Sequence, residues 1–244
     1  MTVATVVEAP PVPHRAAARW VAALLVAEAL LIFVPLAVLG AAINWPQSLD
    51  DPASVALPRL LDNEAAVRFG YSVYLAYSVL FLPVAVLVTR ALAGTRDGDL
   101  LVRMALGLAV ASMLARCIGI LRWLTAMPAL AETYVASNDA SRVALAAQYD
   151  LLNDFGGGVG ELLGVSLFAA LWLATTIVAA WRSGTPRWLL GSGVVVAVLL
   201  AAPLVELGGG DAGPLVSLGA ASLQLWLLAT AYVIVRRAGN GRQS

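Results

Sequence analysis

Two acidic residues, Asp154 and Glu161, stand seven positions apart around the glycine run of NDFGGGVGELLGVSLFAALW, residues 153–172. The apolar stretch that follows is long enough to cross a membrane, so both carboxyl groups fall near or within a lipid-spanning helix. Ionisable side chains in such helices mark proton relays, ion paths or ligand sites. Asp154 and Glu161 are therefore the candidate catalytic residues, each able to act as a general acid on an apolar substrate.

Arg116 and Arg122 supply matching positive charges in the preceding apolar segment. A rise of about 1.5 Å per residue places Arg116 level with Glu161, and Arg122 level with Asp154. Because an unpaired charge at the bilayer centre costs about 2.5–3.5 kcal/mol, we expect two buried ion pairs, Arg116 with Glu161 and Arg122 with Asp154. Such pairs could fix the register of two helices or serve a function, and the sequence leaves both roles open.

Small residues recur at intervals of four in the same two segments. They are Gly107, Ala111, Ala115 and Gly119 in one segment, and Gly156, Gly160 and Gly164 in the other. Such stripes let two helices approach closely in lipid, so we expect the two segments to pack together with the charges at their seam. A phosphate-binding loop does not fit these glycines, because it requires a preceding strand and usually a lysine.

A second polar group is expected around Glu28, which lies about a third of the way along the first apolar segment without a clear cationic partner. Tyr77 and Gln224 fall near its depth and could hydrogen-bond an uncharged carboxylic acid. Tyr71 and Tyr74 extend the polar face of the second apolar segment. These five residues are the candidate lining of a cavity inside the helix bundle.

The composition indicates that a membrane positions these residues. Of the 244 residues, 61% are hydrophobic and 12% are charged, with a mean hydropathy of +0.86. Soluble domains are about 45–50% apolar and about 25% charged. The sequence predicts an all-α polytopic integral membrane protein with six transmembrane helices. They cover about 20–42, 67–90, 101–127, 156–181, 187–207 and 214–235, in a single transmembrane domain, 19–237, between flexible tails at 1–18 and 238–244.

The arginines predict how the six helices are oriented. One predicted side of the membrane carries Arg15, Arg19, Arg90, Arg96, Arg103, Arg182, Arg187, Arg236, Arg237 and Arg242, and the other only Arg59, Arg68 and Arg142. Basic residues are enriched in cytoplasmic loops. We therefore expect both termini in the cytoplasm, and a multi-pass protein of the bacterial inner (plasma) membrane.

Several classes of site are disfavoured by what the chain lacks. It has one histidine, His14, in the N-terminal tail, and one cysteine, Cys117. A metal centre or a haem held by two histidines of one subunit is therefore excluded, and no cofactor is expected. The formal net charge of zero gives no reason to expect a nucleic acid partner. The expected partners are the lipid bilayer, from the apolar composition, and a small lipophilic ligand in the candidate cavity.

The segment TPRWLLGSGVVVAVLLAAPL, residues 185–204, begins the fifth predicted helix with Pro-Arg-Trp-Leu. Together with the mid-helix arginine of ARCIGILRWL and the acidic stretch before GGGVGELLG, it resembles the bacterial domain-of-unknown-function family 4386 over about residues 20–235. The resemblance implies the six-helix fold. In that family an acidic residue often follows the arginine by three positions; Gly119 stands there, and the resemblance implies that Glu161 takes its role. The family has no established activity, so the function stays open.

Three functions are compatible with these residues. The first is a non-enzymatic membrane protein that binds a lipid or small lipophile within the helix bundle. The second is an intramembrane enzyme with Asp154 or Glu161 as the acid, although a carboxylate paired with arginine is a poor proton donor and no nucleophile–base pair is readable. The third is a small transporter acting as a homo-oligomeric dimer, for which no inverted repeat is visible.

Overall fold

The computed structural model describes residues 15–94, 99–213 and 215–240, and all the regular structure in these ranges is helical. The α-helices are α1 (Arg15–Leu31), α2 (Phe33–Ile43), α3 (Ala53–Asp62), α4 (Glu64–Ala93), α5 (Leu100–Leu124), α6 (Ala126–Ala136), α7 (Asp139–Gly157), α8 (Ala169–Ala180), α9 (Arg187–Ala201) and α10 (Leu215–Asn240). Short 3-10 helices occupy Gln47–Asp50 and Ala202–Gly208. A π-helix at Gly158–Phe168, called the π segment below, joins α7 to α8.

Six helical stretches are long and apolar enough to cross a membrane. They are Arg15–Ile43, Glu64–Ala93, Leu100–Ala136, Asp139–Ala180, Arg187–Gly208 and Leu215–Gly239. The all-α fold with six transmembrane helices that the sequence predicts is therefore confirmed. The first stretch is interrupted after Leu31 because Pro35 lacks the N–H group that would bond to the Leu31 carbonyl.

Both ends of the helical bundle extend into the predicted tails. α1 begins at Arg15, inside the tail expected at 1–18, and α10 continues to Asn240, inside the tail expected at 238–244. The rest of those tails, 1–14 and 241–244, lies outside the described residues. Arg15 donates a hydrogen bond of 3.0 Å to the Gly239 carbonyl, so α1 starts where α10 finishes. The opposite end of the bundle, which contains α3, α6 and α7, is called the distal end.

Buried apolar side chains form two clusters along the bundle. One is nearer the termini and includes Phe81 and Trp172, whose rings meet edge to face at 5.2 Å. The other lies at the distal end, where α2 to α7 enclose Leu57, Met127 and Tyr149. α5 packs against α4, α8 and the π segment, and this central helix therefore carries the candidate arginines to the junction of the two clusters.

Candidate functional site

α5 and the π segment meet along small residues. A Cβ atom added to Gly119 would lie 2.7 Å from the Gly160 Cα and 2.8 Å from the Gly156 carbonyl oxygen. Farther along the seam, the Ser112 hydroxyl donates a hydrogen bond of 2.7 Å to the Gly164 carbonyl. The expected close packing of the third and fourth transmembrane segments is confirmed at these positions.

The predicted stripe on α5 is correct at one end and wrong at the other. Ala115 and Gly119 lie at the seam, whereas a Cβ atom added to Gly107 would have nothing within 4 Å. Ser112 takes the place that the four-residue spacing gives to Ala111. A straight α-helix drifts relative to a strict repeat of four, so a stripe counted over twelve residues leaves the contact face.

Arg116 does not form the ion pair expected with Glu161 in the part of the chain that the structure describes. Its guanidinium lies over the Phe81 ring of α4, with Cζ 4.2 Å from the ring centroid. At the seam itself, a Cβ atom on Gly164 would come within 3.0 Å of the Arg116 backbone nitrogen and Cγ. The two helices thus pack together as expected, but the side chain of Arg116 points towards α4.

Arg122 does not form the ion pair expected with Asp154. Its hydrogen-bond partner is Asn153, the residue before Asp154. The Arg122 Nη2 donates to the Asn153 Oδ1 at 3.3 Å, and the Asn153 Nδ2 donates to the Leu49 carbonyl at 2.7 Å. Asp154 is exposed. Successive residues of a helix point about 100° apart, so a match in depth one position away can face a different direction.

The charges are redistributed among the predicted residues. The Glu161 carboxyl group lies within electrostatic range of the Arg122 guanidinium. Arg116 interacts instead with Glu28, which is fully buried in α1. Neither interaction is close enough to be a salt bridge. Arg116 therefore lies near Glu28 and Arg122 near Glu161, in each case without direct contact.

A pocket opens beside the seam at its distal end, and we call it the distal pocket. Its lining comprises Trp45, Leu49, Tyr71, Tyr74, Arg116, Gly119, Ile120, Arg122, Trp123, Gly156, Gly160, Glu161 and Val165. Its free volume is about 30 Å³, within a partly open space of about 370 Å³. Tyr71 stacks on Trp123 with the ring centroids 5.2 Å apart and the planes 2° apart. Aromatic rings and three charged groups thus share one small opening.

The five residues of the predicted cavity separate into two groups. Tyr71 and Tyr74 line the distal pocket, whereas Glu28, Tyr77 and Gln224 are buried behind it and are not part of its lining. The Gln224 Nε2 donates to the Tyr77 hydroxyl at 2.8 Å. Neither carboxyl oxygen of Glu28 has a hydrogen-bond partner among the described residues.

A comparison against known families identifies the family of this chain. The family described as "Domain of unknown function (DUF4386)" matches residues 15–231, which is most of the chain. The chain belongs to the DUF4386 family. No curated protein and no solved structure matches it.

Sequence reasoning missed three contributors to the site of this DUF4386 protein. Trp45 and Trp123 line the distal pocket, and Asn153 holds Arg122. Trp123 directly follows Arg122, and Asn153 directly precedes Asp154, so both were next to residues already chosen. Trp45 reaches the site from the turn after α2, and nothing in its sequence surroundings indicates that contact.

Metal-binding side chains do not cluster in the described part of this DUF4386 protein. In the residues that the structure describes, no group of three or more His, Cys, Asp and Glu side chains is placed to hold a metal ion. The chemical groups of the distal pocket are two guanidiniums, one carboxyl group and the tyrosine hydroxyls. These groups can bind and orient a polar end of a ligand while the aromatic rings contact an apolar part.

Proposed function

We propose that this multi-pass DUF4386 protein binds a lipid or small lipophile at the distal pocket, without enzymatic activity. The observation that carries the proposal is the lining itself, in which Trp45, Tyr71, Tyr74 and Trp123 surround Arg116, Arg122 and Glu161. Ligand sites are commonly apolar and aromatic walls with a few polar groups that fix orientation. A protein whose outer surface faces lipid can receive such a ligand directly from the bilayer.

The size of the pocket indicates how much of a ligand enters. A free volume of about 30 Å³ accommodates a water molecule, whereas pockets that enclose a whole drug-sized ligand measure roughly 300–1,000 Å³. We therefore propose that one end of the ligand occupies the distal pocket. The remainder then lies along the apolar outer surface of the bundle, where Phe155 and Leu151 of α7 are exposed.

The local backbone supports a binding role at this position. Glu161 lies in the first turn of the π segment, whose eleven residues form a long departure from α-helical hydrogen bonding. π-helical turns occur frequently at functional sites, because the altered bonding redirects side chains and frees carbonyl groups. The Gly164 carbonyl of this segment accepts a hydrogen bond from the Ser112 hydroxyl of α5, which holds the segment against that helix.

The enzyme alternative has less support. Asp154, one of its two candidate acids, is exposed and is not part of the pocket lining. Glu161 lines the pocket, but the lining residues include no serine, cysteine or histidine that could act as a nucleophile or base beside it. A transporter has no observation of its own in its favour.

We also propose a location for the protein, which rests on the arginine distribution alone. The end of the bundle that holds the termini is rich in arginine, including Arg182, Arg187, Arg236 and Arg237. Such an end faces the cytoplasm in bacterial membrane proteins. The protein is accordingly placed in the bacterial inner membrane with the distal pocket facing the outside.

The proposed function is tested by identifying what the pocket retains during purification. The parent protein, extracted in a neutral detergent, is compared with Val165→Phe, which fills the pocket, and with Val178→Phe, which adds the same ring at a position 59% exposed on α8. Organic extraction and mass spectrometry should show a lipophile near one copy per chain in the parent and in Val178→Phe, and its loss in Val165→Phe. The same bulk lipid mixture in all three samples would refute the proposal.

A further inference from the structure

We propose that the distal pocket recognises an oxyanion headgroup, a carboxylate or a phosphate, on the amphiphile that it binds. The inference rests on the proposed function, since it names the chemistry of the ligand end that enters the pocket. It is carried by two arginine side chains of α5 that line the pocket and have no salt bridge to any residue that the structure describes.

Arg116 provides the first of these groups. It is 4% exposed, and its Nε has no hydrogen-bond partner among the residues described. The Phe81 ring covers one side of its guanidinium. A buried guanidinium without a direct counter-ion is costly, and an oxyanion bound beside it in the pocket offsets that cost.

Glu28 does not neutralise Arg116 in the manner of an ion pair. It is fully buried, and within the described ranges both of its oxygens lack a hydrogen-bond partner. Burial without hydrogen bonds disfavours a charged carboxylate. Glu28 also lies outside the pocket lining, so it does not occupy the place where a headgroup would bind.

Arg122 provides the second group, and the fold makes space for it. A Cβ atom on Gly156 would lie 2.5 Å from the Arg122 Cδ and 2.7 Å from its Nη1, so only glycine leaves room for this side chain. Nη2 donates to the Asn153 side chain, a neutral partner, and in the described structure the buried Nε has none. Asn153 thus positions the guanidinium without cancelling its charge.

The charges of the lining favour an anion. Two guanidiniums face one carboxyl group, Glu161, so the wall of the pocket carries an excess of positive charge. Arginine side chains bind carboxylate and phosphate groups through paired, charge-assisted hydrogen bonds. The rings of Trp45, Tyr71 and Trp123 make the rest of the lining apolar, which strengthens that attraction. A neutral headgroup can accept hydrogen bonds from the same donors but does not offset their positive charge.

The test compares ligands that share an acyl chain and differ only in the charge of the headgroup. Full-length protein in phosphatidylcholine nanodiscs is titrated with oleate against oleyl alcohol, and with oleoyl lysophosphatidic acid against monooleoylglycerol. We expect the anionic member of at least one pair to bind at least about tenfold more tightly, as expected for one lost hydrogen bond to a charged group. Inorganic phosphate tests whether the headgroup suffices without the chain.

Variants separate recognition by the pocket from general attraction of anions to the protein. Arg122→Gln should abolish most of the anionic preference, whereas Arg68→Gln should retain it, because Arg68 is exposed and paired with Glu64. Arg116→Gln should also abolish most of the anionic preference, provided that this variant folds. If it does not fold, the comparison of the parent with Arg122→Gln decides the test.

Each outcome distinguishes this inference from the proposed function. Equal binding within both pairs overturns headgroup recognition and leaves lipophile binding standing. An anionic preference that survives Arg122→Gln also overturns the assignment to this pocket. If inorganic phosphate binds as tightly as the lysophosphatidic acid, oxyanion recognition is supported, but the proposal that the ligand is an amphiphile is overturned. Absence of binding by all of these ligands overturns both proposals.

Discussion

Gly119 of α5 and Gly160 of the π segment contact each other through their backbones, since a Cβ atom on Gly119 would lie 2.7 Å from the Gly160 Cα. The contact brings Arg116 and Arg122, three positions to either side of Gly119, next to Glu161 in one pocket lining. Close approach of two backbones in lipid depends on residues without side chains. The geometry of the distal pocket thus depends on this pair of glycines.

The first prediction concerns Gly119. Gly119→Ala places a Cβ atom against the Gly160 backbone, which no side-chain rotation can relieve, and we expect a loss of about 1–3 kcal/mol of stability. Gly107→Ala on the same helix is the matched control, because its Cβ atom has nothing within 4 Å. It should be neutral or slightly stabilising, since alanine favours a helix over glycine. Melting in neutral detergent measures both, and equal melting temperatures would contradict the contact.

The second prediction distinguishes Asn153 from its neighbour Asp154. Asn153 joins Arg122 to the Leu49 carbonyl, so Asn153→Ala leaves a donor and an acceptor unpaired and should cost about 1–3 kcal/mol. Asp154→Ala changes an exposed side chain and should stay within about 0.5 kcal/mol of the parent. Unfolding in mixed detergent micelles provides both values. A greater loss for Asp154→Ala would restore the ion pair expected from the sequence.

The sequence predicted the helices well because the bilayer imposes one length on each of them. Apolar runs of about 20 residues can be counted directly, and all six correspond to helices of the structure. The glycines of the seam were equally readable, because close helix packing restricts residue size at Gly160 and Gly164. These features depend on distance along the chain, which can be counted directly in the sequence.

The partners of the charged residues depend on the direction in which each side chain points around its helix, and this direction is harder to predict from the sequence. Arg116 matches Glu161 in depth, yet its guanidinium lies over Phe81 of a different helix. Glu161 also stands in the π segment, where hydrogen bonds to the fifth residue widen the turn and shift each side chain from its α-helical direction. Nothing in the residues 158–168 predicts that change reliably. The expected pairs were therefore placed at the right level with the wrong neighbours.

The third prediction concerns topology. The arginine-rich end of the bundle carries both termini, and we expect a reporter fused after Ser244 to be cytoplasmic. A reporter inserted at Asn138, in the turn between α6 and α7 at the distal end, should lie outside. Paired alkaline phosphatase and fluorescent protein fusions distinguish the two locations. An external signal from the C-terminal fusion would contradict the expected orientation.

The last prediction tests the redistributed partners of Arg116 with two double-mutant cycles. Arg116→Gln combined with Phe81→Leu should show a coupling of about 0.5–2 kcal/mol, because the guanidinium lies 4.2 Å from the ring centroid and is shielded from water. Arg116→Gln combined with Glu161→Gln should show a smaller coupling than the Phe81 cycle, since the two side chains form no ion pair in the described structure. Both cycles use the same Arg116 variant, so any general effect of removing the buried charge cancels between them. Unfolding free energies in mixed micelles provide the measurement. A strong coupling to Glu161 together with additivity towards Phe81 would mean that Arg116 points into the seam, and the Arg116 guanidinium of the oxyanion site would then already be neutralised.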